Sequence, residues 1–316
     1  MTTHILPALR AEARGAAHPS DPACVCGADT LADRADATVV RHGDTVAKAH
    51  APDTDPAELD LRLAVTAHPD LAGVLLRPLR PTALPVHGRL VTLWPRGLPV
   101  DPEHPELAPW EAVGALLARL HTVPAHTLPP GLPPMRGPLK AARAVTRLRA
   151  AAPDHPAARP ILAAWRTLPP WARAETPYAH ARALCHGDLH LGQLVRHPAD
   201  SGAWTLIDVD DLGVGDPAWD LARPAAWFAC GLLAPDDWTR FLGAYQRTGG
   251  AKQLTVPDPW PALDVPARAL TVQTAALALA KATAAGRALD EVEESVVDAC
   301  ARMASVPPQL ENGPAK

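Results

Sequence analysis

The sequence predicts an α+β protein with a small β-rich N-lobe followed by a larger, mostly helical C-lobe. Three observations predict it. Residues 24–97 read as short apolar runs broken by turn residues, with one helix among them. From Asp101 onward apolar residues recur at helical spacing. Inside that helical region one segment, residues 193–208, switches to a strand, turn, strand pattern. The 316 residues suffice for one large domain or two modest ones, with a core that needs no disulfide or metal to hold it.

In chain order, residues 1–23 are expected to form an N-terminal arm, read as a helix or a loose segment. Residues 37–50, ATVVRHGDTVAKAH, predict a hairpin with Gly43 at its tip. DPAELDLRLAVTAH, 55–68, predicts a helix: Asp55 suits the N-cap, Pro56 the first turn, and Leu59, Leu63 and Thr66 share one face. Asp55 and Glu58 also have the spacing of a capping box. GVLLRPL and GRLVTLW predict two strands. The prolines of PRGLPVDPEHPEL mark the boundary, which gives an N-lobe over 24–97 and a C-lobe over 98–316.

Beyond it, APWEAVGALLARLHTV (108–123) sets Trp110, Val113, Leu117 and Leu120 on one helical face, and a proline-rich loop follows over 124–138. Helical patterns resume as far as about Arg173 and again over 261–304. Asp216-Pro217 reads as an N-cap with a first-turn proline. The acidic run DEVEESVVD (290–298) reads as a solvated helix face.

Composition excludes several classes. The net charge is −4 and no basic stripe occurs, which argues against a nucleic-acid partner. No run of apolar residues is long enough to span a bilayer, and the N-terminus lacks a signal-peptide pattern, so a cytoplasmic protein is expected. Proline, 37 residues, is well over twice the usual ~5%, and arginine far outnumbers lysine. Of the five cysteines only Cys24 and Cys26 lie close together, as C-x-C with no second cysteine pair, and reduced thiols are the expectation. Nothing in the sequence sets the oligomeric state.

The chemistry concentrates in LCHGDLHLGQLV, residues 184–195. If His197 pairs with Trp204 across the turn PADSGA, Gln193 falls opposite Asp208. An amide oxygen and a carboxylate then meet at one end of a hairpin, with Asp188 just upstream. Both are hard oxygen donors of the kind magnesium takes. An Asp, an amide five residues later and a second Asp at a strand end match the protein-kinase arrangement of base and metal ligands.

HGDLHLGQ followed by LIDVDDLGVGDPAWDLA resembles the aminoglycoside phosphotransferase family, small-molecule enzymes of protein-kinase-like fold. His186, Gly187, Asp188, Ile207, Asp208, Gly213, Asp220, Leu221 and Ala222 fit the family pattern, and LLARLH (116–121) resembles its post-hinge helix. The likeness covers roughly residues 24–230. It implies a bilobal kinase-like fold and ATP- and Mg2+-dependent phosphorylation of a small-molecule hydroxyl, on an aminoglycoside-like antibiotic, a sugar or another metabolite. It further implies Asp188 as catalytic base, Asp208 and Gln193 as magnesium ligands, and Asp220 as a brace for the catalytic loop. Lys48 would bind the nucleotide phosphates with Glu58 as its ion-pair partner, and Leu93 and Trp94 would lie at the adenine hinge.

The chain departs from the family pattern at four points. Gln193 replaces the usual Asn, as in the similar loop of maltokinases. CGADTLADRAD (26–36) offers one glycine where a glycine-rich phosphate loop is usual. Pro95 brings a hinge residue without an N–H, and Glu58 follows Lys48 closely. Two other readings stay open: a nucleotide-binding protein with little or no turnover, and a metallohydrolase whose His186, Asp188 and His190 share one face of an extended segment. Asp210 and Asp211 are expected as solvated loop carboxylates.

Overall fold

The structure, a computed structural model, describes residues 5–20, 24–178 and 183–306. Two compact units divide the chain: one takes in residues 1–108, 126–133 and 191–210, the other 109–125, 134–190 and 211–316. The first holds the larger sheet and the second most of the helices, an α+β arrangement.

The first unit is built on an antiparallel five-stranded sheet. Its strands are β1 (Ala28–Asp33), β2 (Thr38–His42), β3 (Thr45–Ala49), β4 (Leu84–Val86) and β5 (Arg89–Pro95), in the order β1-β2-β3-β5-β4. The expected hairpin closes on Gly43 and Asp44, and the left-handed backbone at Gly43 (φ 56°) suits the twist of a two-residue turn. Burial alternates along β2 and β3, so Val40, Ala47 and Ala49 face a core while Lys48 points to the opposite face. Helix α1 (Ile5–Ala17) covers that core with Ile5, Leu9 and Ala13. Helix α2 (Pro56–Val65) begins as expected, with the Asp55 carboxylate accepting from the N–H groups of Ala57 and Glu58.

GVLLRPL forms no strand of its own. Val74 and Leu76 instead bond to Leu206 through a single parallel bridge at Leu75. Pro78 and Pro81, which follow, lack backbone N–H groups and interrupt any ladder.

A small sheet completes this unit: β6 (Leu98–Pro99), β8 (Leu194–His197) and β9 (Ala203–Leu206), in the order β6-β8-β9. Here the sequence-based register is corrected. His197 pairs with Ala203, not Trp204, and Gln193 falls beside Ile207, whose N–H donates to its carbonyl at 2.9 Å. The turn is one residue shorter than expected because Gly202 closes back on Pro198 (N–H to carbonyl, 2.7 Å). A side chain at Gly202 would overlap the His197 carbonyl.

The second unit is helical: α3 (Trp110–His121), α4 (Gly137–Ala151), α5 (Ala158–Thr167), α6 (Ala218–Ala229), α7 (Pro235–Thr248), α8 (Trp260–Ala284) and α9 (Glu291–Ala304). α3 lies on α7, and α8 packs on α4, α6 and α9. A short antiparallel pair, β7 (Ala183–Cys185) with β10 (Gly213–Gly215), leads into the His186-Gly187-Asp188 segment. Asp216 caps α6 through the Ala218 N–H, one residue away from the expected geometry because Pro217 itself occupies the cap position. At the start of α9, Asp290 and Glu293 form a reciprocal capping box. Among the described residues no helix is long and apolar enough to cross a membrane.

Candidate active site

In the first unit, five side chains form one hydrogen-bonded chain around Lys48. Its ammonium sits 2.7 Å from Asp208 and 2.9 Å from Asp210. His50, just past the end of β3 and two residues on from Lys48, reaches Asp210 through Nδ1 (2.7 Å) and Thr92 through Nε2 (2.8 Å). The Trp94 indole N–H donates to the same Thr92 hydroxyl at 2.8 Å. The Asp210 carboxylate can only accept, so His50 donates to it through Nδ1. Burial alone would pull the Lys48 pKa down, but the charges of Asp208 and Asp210 outweigh it and raise it. Asp210 is held below the usual carboxylate range, because Lys48 and His50 outweigh its burial.

The one-residue register correction does not separate Gln193 from Asp208. Asp208 lies just past β9 with a left-handed backbone, φ 68°, which swings its side chain back toward Gln193. The Gln193 amide N–H stands 3.4 Å from the Asp208 carboxylate. Half a rotation about the terminal side-chain bond presents the amide oxygen instead. Non-glycine residues with positive φ are uncommon, and they gather at functional sites.

The other predicted positions fall as follows. Glu58 engages Arg62 one helical turn on, at 3.0 Å, while the carboxylates on Lys48 are those of Asp208 and Asp210. Leu93 and Trp94 lie inside β5: Trp94 pairs with Val46, and the Leu93 carbonyl accepts from the Leu79 N–H at 2.7 Å. CGADTLADRAD builds β1 and a tight turn in which Arg34 N–H meets the Ala37 carbonyl.

In the second unit Asp188 is clasped by two cations, Lys140 Nζ at 2.6 Å and Arg223 at 2.9 Å. Arg223 also donates to the Leu189 carbonyl, which ties it to the loop it serves. Burial would raise the Asp188 pKa, but Lys140 and Arg223 more than offset that and hold the group ionised below the usual range. Lys140 reaches Asp211 as well, at 2.6 Å. Asp210 and Asp211 are therefore not solvated loop carboxylates; each is drawn into an ion pair.

Asp220 braces the loop from beneath. Its carboxylate accepts from the backbone N–H groups of His186 (2.6 Å) and Gly187 (2.8 Å), and from His121 (3.0 Å), which in turn meets the Tyr245 hydroxyl. Gly187 takes a left-handed φ of 85° against the Asp211 carbonyl, a close approach that only glycine allows.

Sequence reasoning missed His50, Lys140 and Arg223. Lys140 had a usable signal: it is the next lysine after Lys48 in a chain that strongly favours arginine. The metallohydrolase tripod does not form, since the segment after β7 leaves the strand at His186. Among the described residues, the two clusters whose ligand atoms lie close enough to share an ion involve other side chains.

A family comparison matches residues 28–264 to the phosphotransferase enzyme family. The chain belongs to that family. This phosphotransferase is a small-molecule kinase. Its fold is similar to that of a choline/ethanolamine kinase family protein from Mesorhizobium loti, with 18% identity, a TM-score of 0.57, and 97% of this chain and 96% of that one covered. It is also similar to spectinomycin phosphotransferase solved with ADP and spectinomycin: 14% identity, TM-score 0.58, 88% and 92% covered. A choline kinase from Streptococcus pneumoniae gives 12% identity and a TM-score of 0.58, over 96% and 99%. No curated protein matches the phosphotransferase's sequence.

Proposed function

We propose that this phosphotransferase moves the γ-phosphoryl group of ATP, with Mg2+, onto a hydroxyl of a small polar molecule in the cytoplasm. The observation that carries the reading is the set of oxygen donors around Lys48: Asp208, Asp210 and the Gln193 amide. All are hard ligands, which fits magnesium. Bound there, Mg2+ would supply charge neutralisation for the nucleotide phosphates.

The chain's own residues supply the rest. Lys48 exchanges its carboxylate partners for phosphate oxygens, as a compact ammonium does readily. Asp188 orients the acceptor hydroxyl and takes its proton. A carboxylate made less basic by two cations still suits this task, because a loose phosphoryl-transfer transition state demands positioning more than a strong base. Arg223 and Lys140 hold Asp188 in place. Trp94, which shares the Thr92 hydroxyl with His50, walls the adenine side, while the Leu93 side chain packs into the core beneath α1, and Glu58 stays paired with Arg62 within α2.

The test is a screen of nucleotide consumption against aminoglycosides and spectinomycin, sugars, and amino alcohols including choline. Acceptor-dependent ADP release is expected for one class. Asp188→Asn is expected to keep ATP affinity within about threefold while turnover falls by about 10²–10⁴. ATP binding with no transfer to any acceptor would favour a nucleotide-binding protein without turnover. Equal loss of binding and turnover in Asp188→Asn would remove Asp188 from the role given to it.

A further inference from the structure

One cluster of metal-type side chains lies outside the phosphotransfer machinery. His18 follows the C-terminal end of α1, Cys24 and Cys26 precede β1, and His42 ends β2. One ligand atom from each lies within 4.8 Å of all the others. The Cys24 sulfur is 3.5 Å from His42 Nε2. A tetrahedral zinc ion bonded to sulfur at about 2.3 Å and to nitrogen at about 2.0–2.1 Å requires an S···N edge of about 3.5 Å.

Three further features fit a metal centre. His18 Nε2 is sealed from solvent without a hydrogen-bond partner, an expensive state for a polar atom unless something binds it. The Cys26 N–H donates to the Cys24 sulfur at 3.2 Å, a bond that steadies a ligating thiolate. The two imidazoles stand edge to face, 5.3 Å between centroids, and so aim at a shared point without stacking. The cluster opens onto a hollow of about 730 Å3 that Arg10 and Arg14 also line. Two thiolates and two neutral imidazoles around Zn2+ carry no net charge, so the site tolerates guanidinium neighbours.

We propose that His18, Cys24, Cys26 and His42 form a structural Zn2+ site. Cys2His2 is a closed donor set for borderline-soft zinc and leaves no position for substrate. Binding releases two thiol protons to solvent and forms two Zn–S and two Zn–N bonds. The ion clips three separate pieces of chain, the end of α1, the run before β1 and the end of β2, onto one edge of the sheet. His42 pairs with Ala28 at the end of the β1–β2 ladder away from its connecting turn, so the clip holds the sheet and does not enter the chemistry.

The experiment measures zinc in the full chain, produced in zinc-supplemented medium and purified without chelator. About one zinc per chain is expected, and a Cys24→Ser/Cys26→Ser variant should hold less than a tenth of that. Cys230→Ser, altered at a thiol outside the cluster, should hold as much as the unaltered chain. Cobalt replacement in the unaltered protein gives a readout that does not depend on the folding of the double variant. The four-coordinate visible bands should appear together with thiolate-to-cobalt charge transfer. Less than a tenth of a zinc per unaltered chain, full zinc in the double variant, or a six-coordinate cobalt spectrum without thiolate bands would each overturn the assignment.

Discussion

Two cations clasp Asp188, and they make it a weaker base than a free carboxylate. Its ionised form is therefore the form present across the working pH range. Lys140 does double duty, holding Asp188 and Asp211 with one ammonium. In Lys140→Met the burial of Asp188 is opposed only by Arg223 and the weaker influence of His190, so its pKa rises. The acid limb of kcat/KM should then move to higher pH, with loss of activity beginning nearer neutrality than in the unaltered enzyme. A pH–rate profile reads this directly, and an unmoved acid limb would show that Asp188 ionisation does not govern the rate. Arg223 and Lys140 escaped sequence reasoning because they stand 35 residues after and 48 residues before Asp188. No local pattern links them; only the fold does.

At the level of elements, the β8–β9 hairpin shows what the sequence could and could not specify. The two strands, their antiparallel pairing and a turn between them were legible from QLVRH, PADSGA and WTLID. The register was not, because a five-residue and a six-residue loop differ only in how Gly202 closes. A one-residue slip normally turns a side chain to the other face. Asp208 avoids that outcome by leaving the strand with a left-handed backbone, a feature that sequence does not announce for an aspartate. Gly202→Ala would force its new methyl onto the His197 carbonyl, which is backbone and yields little. The expected cost is about 1–3 kcal/mol in a urea melt. The KM for ATP should rise too, because Gln193 and Asp208 are set by that turn. A melt and a KM both matching the parent would mean the turn is not strained by a side chain. The first hairpin had no such ambiguity: Gly43 fixes a two-residue turn and hence the face on which Lys48 points.

For the whole molecule, acid stability follows from how its carboxylates are held. Asp188, Asp210 and Asp220 each titrate below the ordinary carboxylate value in the folded chain. Such groups contribute stability that is fully present above about pH 4, the unfolded value, and that is lost as pH falls through their lower folded values. Lys48→Met removes the main cation on Asp210, raises its folded pKa and shrinks that contribution. Acid unfolding, followed by circular dichroism between neutrality and strong acid, should therefore begin at higher pH in the variant. An unchanged midpoint would place the acid-labile step elsewhere. The broad plan of a β-rich N-lobe and a helical C-lobe was legible because periodicity is local. The ion-pair partners and the His18–His42 convergence were not, because each joins segments that only folding brings together.

Lysine usage has a practical corollary. The sequence holds five lysines, and two of them, Lys48 and Lys140, are locked to carboxylates that raise their pKa. Amine-directed reagents attack only the unprotonated amine, so these two should be the slowest to react. Lys252 and Lys281 stand exposed on the helical unit. A dye or a surface tether coupled through primary amines should thus settle there and leave Lys48 and Lys140 unmodified.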